Sequence, residues 1–220
     1  MTLRQHLEEM IEELKKQVAE MADLALSNLR EGLEAFKNND LELARIVIKK
    51  DDEVDQYEEE IAKQALKIIW REQPVASDLR LVTGILKLIT DLERIGDHAT
   101  DIAEMTLHLD GNLNKRVLPL TSKMAEIVEE MVLLSIKGLV HVNEEIAREV
   151  IKKDDQVDDL FQQLISKMTT ELKHDKIDAN ELIYVLMVAK YFERVGDHAV
   201  NIAQWIIFMV KGTHKNTLLF

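Results

Sequence analysis

The chain of 220 residues carries 28 basic and 41 acidic side chains, and its net charge of −13 argues against direct DNA or RNA binding, whose affinity comes mainly from the phosphate backbone. With no cysteine, disulfides, zinc–thiolate sites and thiol catalysis are excluded. Two prolines, seven glycines and few aromatics, set against abundant Leu, Ile, Val, Ala, Glu and Lys, predict an all-α fold.

Taken in order, the N-terminus lacks the apolar stretch of a secretion signal. Apolar residues then recur at helical spacing through Leu14, Val18, Met21, Leu24, Ala25, Leu29, Leu33 and Phe36, predicting a long amphipathic helix that ends at Asn38-Asn39-Asp40. Asn39 followed by Glu42 has the capping-box arrangement, so a second helix is expected to start there and run past Trp70. Gln73-Pro74-Val75 predicts a tight connection into a third helix lasting to about Leu107. Asp110-Gly111-Asn112 is the expected boundary between two lobes, 1–111 and 112–220. The second lobe repeats the plan, with helices from about Leu118 to Val140, from Asn143 or Glu144 to Leu172, and from Asp178 to about Lys211. Asp178 with Glu181 forms another capping-box pair. The tail from Gly212 to Phe220 shows no period and is expected to be loose, with Leu218-Leu219-Phe220 available to dock. The longest apolar run, Trp205 to Val210, is far short of the ~20 residues that span a bilayer, so a soluble cytoplasmic chain is expected.

The two lobes are related by an internal repeat, which defines the unit to be explained. Glu93-Arg94-Ile95-Gly96-Asp97-His98 returns as Glu193-Arg194-Val195-Gly196-Asp197-His198 at an offset of 100 residues. Ala44 to Asp55 returns as Ala147 to Asp158 at an offset of 103, with ten identities in twelve. The second copy is therefore three residues shorter between its blocks.

Acids at i and i+4 share a helix face, so Asp51/Asp55 and Glu93/Asp97 each form a short acidic stripe. Asp55 lies 19 residues before Pro74 and Glu93 lies 19 after it, while Asp51 and Asp97 lie 23 before and 23 after. In an antiparallel hairpin about Pro74 all four carboxylates come to one height. Asp154/Asp197 and Asp158/Glu193 are likewise centred on one turn, between Asp175 and Lys176. Four carboxylates packed together repel and raise one another's pKa values unless a cation joins them. Oxygen-only ligands select hard cations such as Mg, Ca, Mn or iron.

The competing reading is that Lys49, Lys50, Arg94 and their copies neutralise the acids, Arg94 reaching Asp97 at i+3 and Asp91 at i−3. Asp101 would extend the first stripe by another turn, where the second repeat has Asn201, so the two sites are expected to differ in charge. His98 and His198 sit about 100° around the helix from Asp97 and Asp197 and are expected at an interface rather than as ligands. Gly96 and Gly196 cost a helix interior up to ~1 kcal/mol each, which close packing or room for an ion would offset.

In these residues the chain resembles the PhoU family, whose repeated E(D)-x-x-x-D signature stands here as Asp51/Asp55, Glu93/Asp97, Asp154/Asp158 and Glu193/Asp197. The resemblance covers essentially the whole chain. It implies two tandem antiparallel three-helix bundles made from six helices, multinuclear metal clusters on the acidic faces (iron in some members), and frequent homodimerisation. It also implies a negative regulator that links the phosphate ABC transporter to a sensor histidine kinase and meets the membrane only through those partners. The chain offers no nucleophile–base pair and no Gly-rich phosphate loop, which favours regulation by binding over catalysis. Two alternatives remain. A dimetal carboxylate enzyme would need paired Glu-x-x-His motifs, of which Glu171 to His174 is the only one. A metal-free scaffold would instead offer its acidic faces to a basic partner.

Overall fold

The structure is a computed structural model that describes residues 3–109, 118–173, 179–215 and 217–218. The polypeptide folds into helices α1 (Leu3–Asn38), α2 (Leu41–Lys49), α3 (Asp51–Glu72), α4 (Ala76–Thr106), α5 (Leu118–His141), α6 (Glu144–Leu172) and α7 (Ala179–Lys211). A two-residue-strand hairpin follows, β1 (Thr213–His214) paired antiparallel with β2 (Thr217–Leu218). The fold is the expected pair of three-helix bundles, α1 with α2–α3 and α4, then α5 with α6 and α7. The Asp110-Gly111-Asn112 break, the Asp178–Glu181 cap and the centre of the α6–α7 turn lie outside the described residues.

The first corner of each repeat is built alike. Asp40, not Asn39, caps α2, its carboxylate accepting from the backbone N–H groups of Glu42 and Leu43 at 3.1 and 3.0 Å. Asn39 is instead left-handed, with φ of 51°. In the second repeat Val142 takes the left-handed position and Asn143 caps α6 through Glu145 and Ile146. A short Asn or Asp side chain offers the local acceptor that the first helical turn lacks.

After the caps the repeats diverge. The predicted second helix is interrupted at Lys50, so α3 begins on Asp51 and places Asp51, Asp52 and Glu53 in its first turn. Carboxylates there are favoured by the positive end of the helix dipole. In the second repeat α6 runs unbroken through Lys153, leaving Asp154 and Asp155 in a helix interior.

The two bundles share one hydrophobic core. Helix α4 packs against α7, and α1 against α5. Phe36 of α1 meets Phe192 of α7 edge to face, with ring centroids 5.8 Å apart. Gly32 allows the close approach of α1 to α4, since a Cβ there would lie 2.9 Å from the backbone oxygen of Ala99. In the tail, expected to be loose, the described residues Thr213–His214 and Thr217–Leu218 pair and His214 stacks on Trp205 at 3.9 Å, while Leu219 and Phe220 of the expected docking segment lie outside the described residues. No helix among the described residues is long and apolar enough to cross a membrane.

Candidate metal centres and the inter-repeat cleft

In the first bundle α3 and α4 bring one oxygen each from Asp55, Glu93 and Asp97 within 4.8 Å of one another. Glu93 Oε2 is buried without a hydrogen-bond partner among the described residues. Burial, followed by repulsion from Asp97, pushes the Glu93 carboxyl up, and burial followed by Asp97, Asp51 and Asp52 does the same to Asp55. Arg94 is the local counter-charge, with Nη1 2.6 Å from Asp97 Oδ2 and Nε 3.3 Å from Glu93 Oε2. An oxygen-only set whose buried Glu93 Oε2 has the Arg94 ion pair but no hydrogen bond fits a hard cation.

Asp51 and Asp101 stand apart from that trio. Asp51 accepts from the Thr100 hydroxyl at 2.8 Å, and Asp101 Oδ2 lies 2.9 Å from His98 Nδ1.

In the second bundle Asp154, Asp158, Glu193 and Asp197 do not converge as tightly as the first trio, and the Asp154 carboxyl is pushed up to about 6. Burial is the first cause, with Asp158, Asp197, Asp155 and Glu193 adding to it. The Asp197 carboxyl is raised by burial and then by Glu193, with Lys190 opposing. Asp154 reaches over Gly196, whose added Cβ would lie 3.5 Å from its Oδ1, whereas Gly96 faces Val54. Lys190, not Arg194, pairs with Glu193.

Lys50 and its copy Lys153, two of the lysines expected to neutralise the stripes, point elsewhere. Lys50 Nζ holds Glu31 of α1 at 2.7 Å, and its copy Lys153 holds Glu130 of α5 at 2.8 Å. Nor does Arg94 take Asp91. Asp91 Oδ1 instead lies 2.9 Å from His198 Nδ1 and accepts from Asn201 Nδ2 at 3.1 Å, joining α4 to α7. The two histidines meet at this seam, as expected, with ring centroids 5.5 Å apart. His98 also lies beside Tyr191, the residue that replaces Asp91 in the second repeat. The sequence reading missed the roles of Thr100, Lys190 and Tyr191. Comparing Thr90 with Lys190 and Asp91 with Tyr191 in the aligned repeats is the signal that points to the latter two.

Between α4, α7 and the tail hairpin opens a cleft of about 810 Å³, lined by Arg94, Arg194, Lys215, both histidines and Asn201 among others.

These features define a tandem three-helix-bundle protein with paired carboxylate faces. Residues 18–106 and 121–206 each match the model of the PhoU domain, and the chain belongs to the PhoU family. It is 34% identical over 210 residues to a Clostridium acetobutylicum protein described as a phosphate-specific transport system accessory protein PhoU homolog, covering 95% of this chain and 96% of that one. An Aquifex aeolicus protein of the same description is 37% identical over 184 residues, covering 84% and 83%. The crystal structure of PhoU from Pseudomonas aeruginosa superposes with a TM-score of 0.89 at 28% identity, covering 94% of this chain and 99% of that one.

Proposed function

We propose that this protein is a non-catalytic, metal-binding accessory regulator of phosphate transport. It works in the cytoplasm as a homodimer and represses uptake by connecting the phosphate ABC transporter to a sensor histidine kinase. The observation that carries the reading is the near full-length similarity to relatives described as phosphate-specific transport system accessory proteins. The lobes divide at residue 111, each carrying one centre.

Asp55, Glu93 and Asp97 would hold a hard cation in the first lobe, and Asp154, Asp158, Glu193 and Asp197 in the second, with Asp51 and Asp101 completing the first set if their present partners release them. Iron is the candidate the family resemblance favours. When bound, the ion supplies charge neutralisation and a cross-link between the two helices of a hairpin. The protein's own part is to hold carboxylates at one height on packed helices and to keep Arg94 and Lys190 beside them while no ion is present.

Elemental analysis of protein purified without chelator tests the metal assignment. Wild type should carry stoichiometric metal, Glu93→Gln/Asp97→Asn should lose it from the first lobe, and Glu193→Gln/Asp197→Asn from the second. Metal at background in wild type, both before and after reloading, would rule the centres out. Affinity capture from membranes of phosphate-replete cells tests the adaptor role, and recovery of neither transporter nor kinase components would sink it.

A further inference from the structure

The cleft between the repeats is cationic although the protein as a whole is strongly acidic. Its charge comes from a difference between the repeats. In the first, Arg94 is held by Glu93 and Asp97. In the second, the position of Thr90 is taken by Lys190, which supplies the cation for Glu193. Arg194, the copy of Arg94, is thereby released: it is exposed, lines the cleft, and has no ion pair among the described residues.

The tail adds a second free cation. It lies beyond the repeat, and the Trp205–His214 stack folds it back along α7. Trp205 replaces Met105, so this anchor too belongs to the second repeat alone. The hairpin turn brings exposed Lys215 to the same cleft, also without an ion pair among the described residues. Asn201 and Gln204 add amides to the lining. The carboxylates at the seam are engaged, Asp91 by His198 and Asn201 and Asp101 by His98, which leaves Asp197 as the opposing charge on the wall.

We propose that this cleft binds a small polyanion carrying more than one phosphoryl group, gripped by Arg194 and Lys215, with Arg94, itself held by Glu93 and Asp97, also on the lining. A planar guanidinium presents paired donors to phosphoryl oxygens and an ammonium acts as a point charge. The volume is that of a small-molecule site rather than of a single ion. The gripping groups are cations and amides, and because Asp197 on the same wall is also a proposed metal ligand, binding is tested on metal-free protein.

The test is isothermal titration calorimetry of pyrophosphate into chelator-treated, desalted protein at low salt. Binding to wild type is expected, weakened roughly tenfold or more in Arg194→Gln/Lys215→Gln and unchanged in Lys167→Gln, an exposed lysine on α6 away from the cleft. Glu93→Gln/Asp97→Asn, which cannot hold metal in the first lobe and frees Arg94, should bind at least as tightly as wild type. Far-ultraviolet circular dichroism confirms that each variant is folded. Absence of binding to wild type would overturn the proposal, as would equal weakening by Lys167→Gln. Loss of binding in Glu93→Gln/Asp97→Asn would overturn it in favour of residual metal as the anion's partner.

Discussion

Asp91 of α4 reaches across the seam to His198 of α7, its Oδ1 2.9 Å from the imidazole Nδ1 and also accepting from Asn201. The link is asymmetric because Asn201 stands where the first repeat has Asp101, which serves His98 within its own helix. Asp91→Ala strands two side-chain donors at a largely buried junction and should cost about 1–3 kcal/mol, read as a lower urea midpoint at unchanged m-value.

The bundles should unfold together. Phe36 and Phe192 join α1 to α7 within a core that spans both repeats. Calorimetry should show one transition with matching calorimetric and van't Hoff enthalpies, and Phe192→Ala should lower its stability by about 3–5 kcal/mol. Two resolved transitions would show that the bundles are independent.

Two glycines should respond oppositely to alanine. A Cβ at Gly32 meets the Ala99 carbonyl oxygen at 2.9 Å, backbone that cannot move aside, so Gly32→Ala destabilises despite its better helix propensity. At Gly196 the nearest atom is Asp154 Oδ1 at 3.5 Å, an ordinary contact, so Gly196→Ala should raise stability by up to about 1 kcal/mol. Thermal midpoints of the two variants check the pair.

The metal-free second cluster should show a pH dependence of definite sign. Asp154 stands at about 6 in the folded protein against the usual 3.8, so between those values the folded state holds more protons than the unfolded one. Its contribution to stability therefore falls as pH rises from about 4 to about 6 and is level above. Partial exposure screens the effect to on the order of 1 kcal/mol. Urea midpoints of chelated wild type relative to Asp154→Asn should decline across that window. The same protons compete with a cation, so metal affinity should weaken below about pH 6.

Lys190 occupies Glu193 while no ion is bound. Lys190→Ala should tighten Mn²⁺ binding in the second lobe by a few-fold and lower metal-free stability by up to about 1 kcal/mol, because a competing cation is removed. Manganese titration followed by electron paramagnetic resonance reads the first effect, and weaker binding would show that Lys190 assists the site instead.

The sequence by itself determined the helices, the tandem plan and the meeting of Asp55 with Glu93 and Asp97, because apolar periodicity, turn residues and repeat spacing are local or one-dimensional signals. Equal distances from Pro74 were enough to bring Asp55, Glu93 and Asp97 together. Tertiary structure decided how each carboxylate is satisfied. A side chain's direction turns about 100° per residue, so the interruption at Lys50 gives Asp51 to Thr100 while its copy Asp154 lies over Gly196. The seam was equally beyond spacing arguments: whether Arg94 takes Asp97 or Asp91 depends on α7, which presents His198 and Asn201 to Asp91 from more than 100 residues away.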